Sequence, residues 1–260
     1  MAADSEQMPR LWREPDGALP NTLAFGYAFG GHALGLWLLV QPSIWLFVAG
    51  VLLTAHTMVI GAYLVHECGH MTLFRSRKTN RLAAELLLWL LGAGYAAFER
   101  VRHMHIRHHR DRADVACFDY QRFLQRRPAW VRRLVVALEW AYIPAVELLM
   151  HGQVIVRPFV DPERAADRPR VVVTLLSRLA LFVALFLASP WSLLGFALAY
   201  VLFLQALFVG DAFAHTYEAY IVDDMHEVVP SMTDRDAPVV RSTAAAIEKA
   251  VMNVTANKPE

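Results

Sequence analysis

The sequence predicts an all-α, polytopic membrane protein: four transmembrane helices in two hairpins, with a helical, histidine-rich cap on the cytoplasmic side. Three observations lead there. Hydrophobic residues make up 56% of the 260 residues and charged residues 19%, against about 25% charged in a typical soluble domain. Four apolar stretches are long enough to cross a bilayer and fall into two closely spaced pairs. Neither of the tight turns that join the pairs holds a Lys or Arg.

Taken in order, residues 1–22 form a polar, proline-containing segment unlike a cleaved signal peptide. The first pair is Leu23 to Val40 and Ile44 to Val65, separated only by Gln41, Pro42 and Ser43. A hydrocarbon core of about 30 Å needs about 20 helical residues, so each stretch crosses once and the short break forces an antiparallel hairpin. The second pair is Val171 to Ala188 and Trp191 to Val209, joined across Ser189-Pro190. Pro190 lacks the helical N–H donor and marks that turn.

Two further stretches are less regular. Leu82 to Phe98 is short and reads as lying in the interface or against the bundle. Leu134 to Val156 contains Glu139, Glu147 and His151 and reads as one partly buried, partly interfacial helix, with a third crossing as the alternative. Basic residues argue against that crossing. Arg10 and Arg13 precede the first hairpin, and Arg75, Arg77, Lys78 and Arg81 follow it; Arg100 to Arg133 is arginine-dense, and Arg157, Arg164, Arg168 and Arg170 precede the second hairpin. By the positive-inside rule all these segments, and with them both termini, are cytoplasmic.

A net charge of +1 gives nucleic-acid binding no support. Cys68 and Cys117, two thiols without a secretory context, do not make a disulfide framework. The eleven histidines are more informative. His66 and His70 stand four apart at the end of the second span, a spacing that places both on one helical face. His105, His108 and His109 form H-x-x-H-H in the arginine-rich segment, with His103 just upstream. The last span runs into Asp211 and His215, again one turn apart. The topology puts all three groups on one side of the membrane, so His66, His70, His105, His108, His109 and His215 are candidate metal ligands. Asp211 and His103 are candidates for indirect or water-mediated roles.

His66-Glu67-Cys68-Gly69-His70 also fits H-E-x-x-H, in which two histidines bind zinc and the glutamate activates water. An intramembrane metallopeptidase has no use for His105, His108 and His109. The late-span Asp-Gly pair of such peptidases is also missing, the sole Asp16-Gly17 preceding the first span.

These residues resemble the membrane fatty acid desaturases. His66-Glu-Cys-Gly-His70 is similar to their first histidine box, and His105-Ile-Arg-His108-His109 to their second. Asp211-Ala-Phe-Ala-His215-Thr-Tyr-Glu218 is similar to the segment that ends their fourth span. The resemblance covers about Leu23 to Glu218, which defines a membrane domain at 23–218 and a C-terminal tail at 219–260. It implies two iron ions, O₂-dependent insertion of a double bond into a lipid-borne acyl chain, and a separate ferredoxin or cytochrome b5-like electron donor. The two boxes are shared with carotenoid and alkane hydroxylases, which remain an alternative, as does an inactive homologue. Imidazole suits iron and stays neutral, so several can crowd around two metals. Glu99, Asp111, Asp114 and Asp119 would be acceptors for the outward ring nitrogens, and Arg110 and Arg112 would attract an acidic headgroup or electron carrier. The family's third H-x-x-H-H box, after the last span, has no counterpart here: beyond His215 the only histidine is His226. The tail thus reads as truncated or diverged, leaving a second iron with fewer ligands than the first.

Inside the spans, His32 and His56 read as structural histidines bonded to a carbonyl or a neighbouring helix. Arg178 requires a partner, with Asp211 and Glu147 as candidates, or must snorkel. Gly31 and Gly35 form a G-x-x-x-G that permits close helix contact. Trp45, Trp191 and Tyr220 fit interfacial anchors.

Overall fold

The computed structural model describes residues 11–111 and 120–214, the side chains of 107–111, 121 and 211–214 excepted. These residues are helical with no strand among them; the one β-type pairing is an isolated bridge between Trp12 and Phe74. Four helices are long and apolar enough to cross a membrane: Ala18–Leu39, Ile44–His70, Pro162–Ala188 and Trp191–Gly210. The expected spans are therefore present, each somewhat longer than its apolar core. Two compact units divide the chain, Met1–Arg102 with Asp167–Tyr200, and His103–Ala166 with Val201–Glu260.

In the first unit, the first span consists of α1 (Ala18–Gly26), a π turn at Tyr27–Gly31 and α2 (His32–Leu39). It packs against α3 (Ile44–His70), and the glycine pair is what lets it do so. A Cβ on Gly35 would sit 2.5 Å from Thr54 Oγ1 and 3.0 Å from Thr54 N, and one on Gly31 would sit 2.8 Å from Thr57 Cγ2. In lipid, where apolar burial does not drive helices together, such close backbone packing supplies the association. The same interface satisfies the intramembrane histidines. His32 Nδ1 lies 3.4 Å from Thr57 Oγ1, whose hydroxyl donates to Thr54 O, and Tyr27 Oη is 2.6 Å from His56 Nδ1. Both histidines bond side chains of the neighbouring helix, in line with a structural role.

The stretch expected from Leu82 to Phe98 is α4 (Arg77–Leu91), which begins earlier and stops sooner. Ser76 caps it by accepting from Thr79 N, and Gly92 ends it at φ +81°. Its face of Asn80, Ala84, Leu87, Leu88 and Leu91 is buried, with Leu87 and Leu91 reaching Gly61 of α3. The helix thus lies against the bundle, the second of the two sequence alternatives.

The later hairpin pairs α9 (Arg168–Ala188) with α10 (Trp191–Ala214) across Ser189-Pro190. Leu39, Val51, Ala55, Leu185, Phe196 and Ala199 form the core that joins the two hairpins. Outward residues such as Leu52, Leu176, Leu179 and Leu187 remain exposed, as lipid-facing positions should be. Trp45 and Trp191, at the hairpin ends, are 80% and 71% exposed, which suits interfacial anchors. Arg178 has a partner other than the carboxylates the sequence offers. Its Nη2 donates to Leu90 O at 3.3 Å and its guanidinium lies against Gly92, at the C-terminus of α4. The negative end of that helix dipole and its last carbonyls suit a cation there.

The second unit contains α6 (Tyr120–Gln125), α7 (Ala129–Trp140) and α8 (Ala145–Val160). The single helix expected from Leu134 to Val156 is therefore two. Pro144 disfavours a helical conformation at Ile143, and Tyr142 turns the chain at φ +57°. Glu139 bridges the break, accepting Val146 N–H at 2.8 Å. His151 Nδ1 lies 2.9 Å from the main-chain Glu147 O, one turn back on α8. Tyr120, Val135, Ala145 and Val146 form the core of this unit.

Two predictions arise from this packing. Gly35→Ala forces a clash with backbone and should cost about 1–3 kcal/mol, read as a lower melting temperature in detergent. Gly26→Ala, with nothing within 4 Å of the new methyl, should not destabilise. The second concerns Glu139, whose carboxyl is pushed above the usual range by burial, against the opposing pull of the Val146 and Ala145 N–H groups. A raised folded pKa means folding favours the protonated form. That stabilisation is complete below the unfolded value of about 4.3 and is lost as pH rises through the folded one. Thermal unfolding followed across this window should show Glu139→Gln flattening the decline.

Candidate metal centre

The first histidine box occupies the last turn of α3. His66 and His70, four residues apart, have ring centroids 4.7 Å apart at an interplanar angle of 51°. The helix stops immediately afterwards because Met71 adopts the left-handed conformation, φ +60°, while Met71 N and Thr72 N donate to Cys68 O and Glu67 O. The Thr72 hydroxyl donates to Glu67, with Oε2 at 2.6 Å and O at 2.8 Å. Glu67 is thereby committed to the helix cap, a use different from activating water in a zinc peptidase.

The loop after the box is held from two directions. Asn80, fully buried, donates to Phe74 O at 2.7 Å and Ser76 O at 2.9 Å and accepts from Phe74 N. From the N-terminal segment, Arg13 donates to Leu73 O and Met71 O, and Trp12 stacks on Phe74 with centroids 4.6 Å apart. The polar start of the chain is thus tied to the end of the first box.

The second box lies on α5 (Phe98–Asp111). Its N-terminus is held by Glu85 of α4, whose carboxylate accepts Phe98 N–H at 2.9 Å and pairs with Arg170 of α9. Arg170 also donates to Gly94 O at 2.6 Å, fixing the loop that leads into the helix. Arg77 pairs with Glu99 and Arg100 with Asp167, each at 3.1 Å. Finally, Arg102 Nε donates to Gly69 O at 2.9 Å, joining α5 to the first box itself. His105 follows Arg102 by one turn. His66 and His70 are half-buried at the end of α3, and His105 is half-buried on α5.

Of the six predicted ligands, His66 and His70 stand side by side on α3, and His105 is carried by α5. His103 is exposed. The side chains of His108, His109 and Asp211, and all of His215, lie outside the described residues, as do Asp114, Asp119, Arg112, Cys117, Tyr220 and the side chains of Arg110 and Asp111. The backbone of α5 continues through Asp111, so positions 108 and 109 follow His105 on the same helical face. Glu99 is engaged with Arg77. Sequence reading missed Arg102, Glu85 and Thr72. The signal for Arg102 was its place one turn before His105; Glu85 was an acid in an otherwise apolar run.

The fatty acid desaturase family model matches residues 43–252, most of the chain. The protein belongs to the fatty acid desaturase family. No curated protein and no solved structure matches it. The family is one of membrane oxidoreductases that act on lipid substrates, and with four candidate spans this desaturase-family protein is an integral membrane protein.

The residues present fit a metal. His66 and His70 lie one turn apart on one helical face with ring centroids 4.7 Å apart, a separation at which two imidazoles can ligate one ion. Accordingly, His70→Ala and His105→Ala should each at least halve the metal bound per chain, measured by elemental analysis of purified protein. His103→Ala should leave it unchanged.

Proposed function

We propose that this desaturase-family protein introduces a double bond into the acyl chain of a lipid substrate, using O₂ and two electrons. The observation that carries the reading is the paired histidines of the first box at the end of α3, set beside the family match over residues 43–252. In the proposed reaction two hydrogens leave adjacent methylenes, and O₂ with two electrons and two protons is reduced to two waters. Iron, when bound, supplies the O₂ activation that an unactivated C–H bond demands.

The chain's own residues hold and orient that metal. His66, His70 and His105 are the core ligands of this reading, with His108, His109 and His215 completing the set of six. Neutral imidazoles let the site gather cations without accumulating negative charge. Asp211, one turn before His215, would orient it by hydrogen bonding. Electrons would come from a separate ferredoxin or cytochrome b5-like donor. The Lys and Arg clusters support a cytoplasmic location for the histidines and both termini.

Lipid analysis of cells expressing the chain tests the reading. New unsaturated acyl chains should appear under aeration and be absent with His70→Ala or without O₂. New hydroxylated lipids instead would replace desaturation with hydroxylation. No change in a well-expressed, iron-loaded protein supplied with reductant would remove the proposal.

A further inference from the structure

We infer that Arg102 is a positioning residue that ties the end of the first histidine box to the helix carrying the second, an inference that rests on the metal-site reading above. Arg102 Nε donates to the carbonyl of Gly69, the peptide unit immediately before His70, at 2.9 Å. On its own helix Arg102 precedes His105 by three residues, one turn on the same face. One hydrogen bond thus ties the backbone of one candidate ligand to the helix turn that carries another.

The chemistry of both partners favours this bond. Gly69 O belongs to the last turn of α3, where carbonyls have no helical N–H to accept from. Met71 N and Thr72 N take the carbonyls of Cys68 and Glu67, and Arg102 takes Gly69. A cation at that helix end is also favoured by the dipole. Three further described ties act at the start of α5: Arg77–Glu99, Arg100–Asp167 and Glu85–Phe98 hold its first turn to α4 and to the segment before α9. They fix where α5 starts, whereas Arg102 ties it to the end of the first box. Loss of the bond should therefore weaken metal binding more than it weakens the fold.

The experiment uses the full chain in lipid nanodiscs, with Co²⁺ as the probe and its visible d–d absorption as the readout. Wild-type protein should bind Co²⁺ and lose it with His70→Ala; absence of histidine-dependent binding would overturn the site reading and this inference with it. Given binding, Arg102→Gln should lower Co²⁺ affinity at least tenfold, the scale on which supporting contacts act on a metal. Helix content and melting temperature should stay near wild type. Arg102→Lys, which keeps a donor for Gly69 O, should recover affinity to within about threefold with a shifted d–d band. Arg100→Gln, one turn away from the boxes, should bind as wild type does. Wild-type affinity in Arg102→Gln, or an equal loss in Arg100→Gln, would overturn the inference while leaving the metal site standing. Should Arg102→Gln not fold, the Lys variant decides: a shifted band at unchanged stoichiometry supports the inference, and an unchanged band and affinity overturn it.

Discussion

The Glu85–Arg170 pair is the contact on which the first unit's arrangement depends. Arg170 opens the third span, Glu85 sits midway along α4, and their side chains are 25% and 18% exposed. Taking two charges out of water is costly, and the pair is favourable only if its remaining donors and acceptors are also satisfied. Here the second carboxylate oxygen and the guanidinium Nε are satisfied, by groups that matter to the site. The second carboxylate oxygen of Glu85 takes the first N–H of α5, and Arg170 Nε takes Gly94 O in the loop before it. One ion pair thereby fixes a span, a surface helix and the start of the helix that carries the second histidine box.

The membrane sets the complementary constraint. Within the spans every polar group must find a protein partner, and close helix contact has to come from small residues. Gly31, Gly35 and Gly50 bring α2 against α3, and His32 and His56 use the resulting proximity to reach Thr57 and Tyr27. Arg178 solves the same problem at the C-terminus of α4. A rigid first hairpin follows, and His66 and His70 are presented at the end of a continuous 27-residue helix rather than on a loop.

What was legible in the sequence follows from the range of the interactions involved. Span positions, the turn at Ser189-Pro190 and the pairing of His66 with His70 are local or compositional, and the structure repeats them. The helix break at Ala141 to Pro144 was also local, and Pro144 announced it; the apolar run from Leu134 to Val156 masked that signal. Partners distant in sequence could not be read. Arg170 and Glu85 are 85 residues apart, and Arg102 and Gly69 are 33 apart. The carbonyl partner of Arg178, Leu90 O, was hidden for a related reason, because a carbonyl at a helix end carries no residue signature. The site was therefore visible as a set of ligands but not as the framework that spaces them.

That framework is extensive because α5 has little else to hold it. Phe98-Glu-Arg-Val-Arg-His-Met-His-Ile-Arg-His-His-Arg-Asp111 offers few apolar residues, with Phe98 the one fully buried anchor among its described side chains. A helix with so little to bury must be positioned by directed polar contacts. Its arginines would also repel any cation held by the neighbouring histidines, since unit charges a few ångströms apart interact strongly away from bulk water. The described contacts address both needs together. Arg100 is drawn to Asp167 and Arg102 to Gly69 O, so each guanidinium anchors the helix through an acceptor of its own. On the face it shares with Arg102, His105 offers an imidazole, a group that can approach a cation with a lone pair rather than a charge.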